Sequence, residues 1–155
     1  MPTTSRQVLL ASRPHGEPTA ANFSIVETPI ADPGPDQVLL KIRYLSLDPY
    51  MRGRMNDAKS YAAPVPVGGV MEGGTVGEVV ASNSDRFRPG DIVLSHSGWQ
   101  SHAIADAKDL RKVDPTAAPI STAVGVLGMP GMTAYTGLLT IGQPKPGETV
   151  VVAAA

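Results

Sequence analysis

Glycine and proline are spread along the whole chain, and they leave few stretches long enough for a regular helix. The sequence has 16 glycines and 15 prolines among 155 residues, more than the usual share of about 12% but below the roughly 25–30% that marks low-complexity chains. Proline cannot continue a helix or donate to a central sheet ladder, and glycine favours turns. The pattern therefore predicts a folded domain of many short strands joined by frequent turns.

Short apolar runs lie between these turn residues over the first 119 positions. The clearest of them cover residues 7–11, 23–27, 37–47, 68–81, 92–95 and 99–105. The run at 37–47 should stop at Asp48-Pro49, because proline disfavours the helical region for the residue before it and cannot donate to a ladder. Six or seven short strands of this kind are typical of a small barrel or sandwich.

The pattern changes after Pro119. Apolar residues recur at intervals of three and four over 120–127 and 132–139, which predicts two short helices. Residues 148–155 are then almost all apolar, as in a parallel strand that is covered on both faces. We therefore expect a β domain at 1–119, a helical connection at 120–142, and a linker and strand at 143–155 that look cut off.

Composition excludes several classes of protein. The formal net charge is −1 and no cysteine is present, so we expect no nucleic-acid partner, no disulfide framework and no thiolate metal site. The apolar stretch near the N-terminus is too short for an export signal, and prolines and glycines interrupt the longest weakly polar stretch. These features predict a soluble, cytoplasmic protein with no membrane partner.

Two motifs suggest ligand sites but remain weak. The segment 142–149 nearly matches a phosphate-binding loop, but Glu148 replaces the lysine and two prolines remove amide donors, so a linker turn is the better interpretation. His96 and His102 could share a site with Asp106, yet two histidines without a firm third ligand are more often hydrogen-bonded or exposed. We predict no metal site.

The segment 45–55 is the richest in chemistry. It places Tyr50, two arginines and two methionines in a turn after a strand. Such a turn can line an apolar pocket that carries a few polar groups. Alternatively, the tyrosine and arginines fasten a loop without any contact to a ligand.

Several blocks in this order resemble one enzyme family. They are Leu47-Asp-Pro-Tyr-Met-Arg-Gly-Arg54, Val65-Pro-Val-Gly68, Gly73-Gly-Thr-Val-Gly77, Arg88-Pro-Gly-Asp91 and Gly128-Met-Pro-Gly-Met-Thr-Ala-Tyr-Thr-Gly-Leu138. The chain resembles the zinc-independent prostaglandin reductase and curcumin reductase branch of the medium-chain dehydrogenase/reductase superfamily. The resemblance implies a mainly β fold with short helices (α+β): a GroES-like, partly open β-barrel at 1–119, with the first strand of a missing Rossmann domain at the C-terminus.

The resemblance also implies a reaction and a set of site residues. The reaction is hydride transfer from NADPH to the β-carbon of an α,β-unsaturated ketone or aldehyde. Without a metal, the developing enolate oxygen needs a hydrogen-bond donor, and Tyr50 is the expected catalytic and substrate-binding residue. Tyr61 and Met71 would extend the substrate wall, and Met132 and Thr133 would lie near the nicotinamide end of the cofactor.

Two functional hypotheses follow. In the first, the chain is the catalytic domain of an NADPH-dependent enone or alkenal reductase and is inactive alone, because most of the cofactor site lies in the missing domain. An exposed strand at 150–152 would then favour self-association into a homo-oligomer. In the second, the chain is a free-standing GroES-like module, not an enzyme, that binds a small apolar ligand or a partner protein.

Overall fold

The structure, a computed structural model that describes residues 3–153, contains seven antiparallel strands in two open sheets within that range. The strands are β1 Thr3–Leu10, β2 Phe23–Ile30, β3 Gln37–Leu45, β4 Thr75–Ser82, β5 Ile92–Ser95, β6 His102–Asp106 and β7 Arg111–Val113. β1 pairs with β2, and the larger sheet has the order β6-β3-β4-β5-β7. The prediction of a mainly β fold with short helices is confirmed, although the sheets stay open and do not close into a barrel.

The helices are short and occupy the turns. α1 covers Tyr50–Arg54 and α2 covers Met129–Tyr135, which continues as a π-helical stretch over Thr136–Gly142. Single 3-10 turns lie at Ala20–Asn22, Ala107–Asp109 and Ile120–Val124. Helices at 120–124 and 129–142 agree with the intervals of three and four in the sequence.

The loop at 68–74 and the turn that contains Trp99 bond to β1 and to each other, and they join the small sheet to the rest of the fold. Val8 donates from its backbone N–H to the carbonyl of Trp99, and Met71 donates to the carbonyl of Val8, at 2.9 and 3.0 Å. Trp99 donates in turn to the carbonyl of Met71 at 2.8 Å. The loop at 68–74 is therefore held between β1 and the turn that precedes β6.

Two apolar clusters form the core. One lies on a face of the larger sheet, where Leu40 of β3 sits opposite Val79 of β4; it consists of Val38, Leu40, Val79, Phe87, Val93, Ala107 and Leu110. The other consists of Leu10, Met55, Val65 and Met71, with Phe23 and Trp99 packed against it. The second cluster lies under the segment that contains α1, and it supports the candidate site.

The structure corrects two predictions. The run at 68–81 is a strand only from Thr75; at its start, Gly68 has a φ of +84°, which is incompatible with an extended strand. The predicted strand at 148–155 is wrong for its described part: residues 148–153 form no strand and are exposed, since none of the described strands pairs with them. Ala154 and Ala155 lie outside the described residues.

Within residues 3–153, no helix combines the length and the apolar character needed to cross a bilayer.

Candidate functional site

A small cavity opens where the end of β3, α1, the end of β5 and the start of α2 meet. Its volume is about 70 Å³, well below the roughly 300–1,000 Å³ of a typical small-molecule pocket. The lining residues are Ser46, Asp48, Tyr50, Gly74, Leu94, His96, Ala123, Val124, Met129 and Pro130. The cavity therefore combines an apolar wall with a phenol, an imidazole and a carboxylate.

Pro49 determines the position of Tyr50. Its φ of −56° and ψ of −32° already fit a helix, and proline is favoured at a helix start because its missing N–H has no intrahelical partner there. The backbone N–H of Met51 then donates to the carbonyl of Asp48 at 3.1 Å. The expected turn is thus a short helix, and its first residue, Tyr50, points along the cavity wall.

Arginines fasten this helix to the neighbouring loop. Arg52 donates from Nη2 to the carbonyls of Pro14 and Gly16 at 3.2 and 2.8 Å. Arg13 donates from Nη1 to the carbonyls of Met55 and Val65 at 2.9 and 3.3 Å. Arg52 and Arg13 therefore fasten this helix to the loop at 11–19, and the contact of Tyr50 with a ligand stays a prediction.

The surroundings of Tyr50 favour its neutral form. Partial burial raises the pKa of the phenol above its usual value of 10.0, and the carboxylates of Asp48 and Glu72 raise it further, while Arg54 opposes them. A phenol of this kind keeps its proton at neutral pH. It can therefore donate a hydrogen bond to an oxygen in the cavity.

The other predicted substrate residues occupy different surroundings. Tyr61 is 84% exposed and its ring lies over the guanidinium of Arg54, at 4.6 Å from centroid to Cζ. Met71 is 0% exposed and belongs to the second core cluster. In this structure Met71 therefore packs in the core, and its contact with a substrate stays a prediction.

The predicted cofactor residues lie one turn beyond the cavity. Met132 is 66% exposed on α2, and the hydroxyl of Thr133 donates to the carbonyl of Met129 at 2.8 Å. Met129 and Pro130 line the cavity itself. The sequence analysis missed this pair, although Pro130 at the start of a predicted helix was a usable signal.

The structure separates the two candidate metal ligands. His96 lines the cavity with Tyr50, whereas His102 lies on β6 and is paired in register with Lys41. Burial lowers the pKa of His102, and Lys41 lowers it further. Across residues 3–153, no group of three or more histidine, cysteine, aspartate or glutamate side chains could hold a metal ion.

Known proteins match this chain closely. The family described as the N-terminal domain of oxidoreductase matches residues 6–113. The NADPH-dependent curcumin reductase of Escherichia coli (strain K12) is 58% identical over 151 residues, which are 97% of this chain and 44% of that protein. Prostaglandin reductase 1 of Oryctolagus cuniculus is 43% identical over 146 residues, 91% of this chain and 39% of that protein.

A solved structure agrees with this likeness. CurA from Vibrio vulnificus in complex with NADPH matches with a TM-score of 0.85 at 53% sequence identity, and the match covers 92% of this chain and 42% of that chain. The chain thus spans less than half the length of each of these three proteins.

Proposed function

The chain belongs to the family of oxidoreductase N-terminal domains, on the curcumin reductase and prostaglandin reductase branch, and from this premise we propose that it is the catalytic domain of an NADPH-dependent reductase. The family that the sequence motifs predicted is confirmed. The proposed substrates are small α,β-unsaturated ketones or aldehydes. The observation that carries the proposal is the phenol of Tyr50, kept neutral at a cavity that α2 closes on one side.

Tyr50 would act on the carbonyl oxygen of the substrate. When bound, NADPH supplies the hydride that adds to the β-carbon. The π electrons of the C=C bond then move toward the carbonyl oxygen, and the phenol O–H of Tyr50 donates a hydrogen bond to the charge that develops there. A proton from solvent water then bonds to the α-carbon, the carbonyl is restored, and Tyr50 keeps its own proton.

The residues present fit only one end of the cofactor. A cavity of about 70 Å³ cannot enclose a dinucleotide, and exposed Met132 and Thr133 could contact only its nicotinamide end. Phosphate contacts in dinucleotide-binding folds come from a glycine-rich turn and the helix that follows it. We therefore propose that this chain alone neither reduces enones nor binds NADPH at micromolar concentrations.

Calorimetric titration of the 155-residue chain with NADPH tests this part of the proposal. We expect no saturation at micromolar concentrations, since each 1.4 kcal/mol of lost contacts weakens binding about tenfold. Saturable micromolar binding would mean that a complete cofactor site exists within these residues.

A chimera tests the reductase function. This chain would replace the matching 151-residue segment of the E. coli curcumin reductase, and NADPH-dependent reduction of curcumin would be measured. Tyr50→Phe should lower kcat by about 10- to 1000-fold with a smaller effect on KM, because the donor acts mainly as charge develops. Tyr44→Phe is the control, since Tyr44 lies on β3 and does not line the cavity.

The outcomes separate the claims. A folded chimera that binds NADPH but reduces no enone would contradict the proposed function. If the chimera is active and Tyr50→Phe changes neither kcat nor KM, Tyr50 lines the pocket without donating to the substrate oxygen.

The predicted self-association has one observation in its favour. Large apolar side chains are exposed along the C-terminal part, including Val126, Leu139, Ile141 and Val151, and such surfaces are often covered by another protein. We propose self-association through this surface, which analytical ultracentrifugation would detect as a concentration-dependent mass. A monodisperse monomer at high concentration would contradict it.

A further inference from the structure

A buried arginine contacts the rings of both Tyr50, which lines the cavity, and Tyr61, which does not. Tyr50 and Arg54 are four residues apart on α1, a spacing that places two side chains on the same helix face. The Cζ atom of Arg54 is 5.6 Å from the ring centroid of Tyr50 and 4.6 Å from that of Tyr61. Both distances are within the range of cation–π contacts.

The guanidinium is held in a position that solvent hardly reaches. Arg54 is 8% exposed, and its Nε lies 3.2 Å from Oε2 of Glu72. The Nε–H does not meet hydrogen-bond geometry with that oxygen, so the contact is an ion pair. A buried cation needs a charge partner and further favourable contacts, and the two aromatic faces are the contacts that this site supplies.

The backbone around Glu72 leaves little freedom. A Cβ atom on the next residue, Gly73, would come within 2.7 Å of Leu45 Cδ1 and 3.0 Å of Met51 Cε. Glu72 therefore approaches Arg54 from a segment packed closely against the end of β3 and α1.

We propose that Arg54 is a positioning residue that sets the orientation of Tyr50, which lines the cavity, and of Tyr61, which does not. Its relevance to catalysis rests on the proposed function of Tyr50. Tyr61 lies outside the helices and strands and is 84% exposed, so the stack on Arg54 gives its ring a defined place. Arg52 has a different role because its guanidinium contacts backbone carbonyls.

The charge of Arg54 also acts on the phenol. It lowers the pKa of Tyr50 against burial and against the carboxylates of Asp48 and Glu72. Replacement by a neutral side chain should therefore raise that pKa further, while lysine should keep part of the effect.

Nuclear magnetic resonance of the 155-residue chain tests the proposal without any activity. With ring-labelled tyrosine, Arg54→Met should move the Tyr50 and Tyr61 ring resonances and shift the titration of Tyr50 to higher pH, and Arg54→Lys should partly restore that titration. Arg43→Met is the matched control, because Arg43 also pairs with a glutamate, Glu78, but lies on β3 away from both rings. Unchanged ring resonances and titration in a folded Arg54→Met variant would overturn the proposal.

A second variant covers the case in which Arg54→Met does not fold. Tyr61→Leu removes an exposed ring, and the Arg54 Nε–H resonance should then move downfield as the ring current is lost. An unchanged resonance would overturn the proposal.

In the chimera, Arg54→Met should lower kcat by up to about 100-fold, as expected for a displaced reacting group, and Arg54→Lys should recover part of the loss. If the chimera itself is inactive while the resonances move as expected, the proposed function fails and the positioning role stands. If the chimera is active and Arg54→Met leaves kcat unchanged, the positioning role fails.

Discussion

Met71 was predicted to extend the substrate wall, but it is buried in the structure. Truncation of its side chain tests the packing role. Met71 has 0% exposure and packs with Leu10, Met55 and Val65. Truncation of a buried methionine to alanine costs about 2–5 kcal/mol, through lost transfer free energy and the cavity that remains. Its backbone is hydrogen-bonded on both sides, to Val8 and Trp99, so the site can collapse little. We therefore expect Met71→Ala to lose about 3–5 kcal/mol of unfolding free energy.

Urea unfolding measured by tryptophan fluorescence is the appropriate assay. Trp99 is the single tryptophan and packs against the same cluster, so its emission reports on the region that changes. Met71→Leu conserves volume and should cost less than about 1.5 kcal/mol, and exposed Met132→Ala should stay within about 0.5 kcal/mol of the parent. A change of less than about 0.5 kcal/mol in the unfolding free energy is typical of surface positions. If Met71→Ala changed it by no more than this, the packing argument would be refuted and the substrate-wall prediction would stand.

Three further predictions use other parts of the molecule. Gly98→Ala should lower the free energy of unfolding by more than about 1 kcal/mol. The φ of Gly98 is +75°, and a Cβ atom there would come within 2.4 Å of the Met71 carbonyl oxygen. Gly16 has a φ of +80° but nothing within 4 Å of such a Cβ atom, so Gly16→Ala should cost less in the same urea titration. Burial lowers the pKa of His102 below 6.5, so the unfolded chain binds this proton more readily and stability should fall as pH drops from about 6.5 through the lower folded pKa. His102→Gln should flatten that slope, and an unchanged slope in urea midpoints between pH 8 and 5 would contradict the assignment. Elemental analysis after dialysis against a chelator should find no stoichiometric zinc, since the chain lacks thiolates; a ratio near one would refute this.

The sequence predicted those strands that are bounded by strong turn signals. β5 matches its predicted limits, and β3 ends at Leu45, close to the expected stop before Pro49. β7 was missed because Arg111–Val113 is three residues long and mostly polar, too short for alternation to be visible. Residues 148–153 of the strand predicted at 148–155 form no strand. An apolar run indicates that a segment can be buried, but a strand also needs a neighbouring strand to pair with.

The site was predicted in part for a similar reason. Tyr50 was chosen from the chemistry of segment 45–55 and from the family resemblance; the structure places it at the cavity, and its catalytic role stays a prediction. The burial of Met71 could not be predicted, because an apolar residue in a loop is equally compatible with a core and with a substrate wall, and its packing with β1 and Trp99 is tertiary. His96 was considered as a metal ligand, and its place beside Tyr50 depends on how β5 pairs with β4, which no local pattern contains.

Arg52 and Arg54 demonstrate why residue type and local spacing leave a role undetermined. They are two positions apart on one short helix, so their side chains leave it in different directions. Arg52 reaches the carbonyls of Pro14 and Gly16, where several N–H donors in a planar fork are useful. Arg54 points inward between aromatic rings, where a weakly hydrated, planar cation can lie flat. Lysine would match neither geometry, so the arginine pair depends on shape as much as on charge, and the direction of each side chain decides whether it holds the loop or the tyrosines.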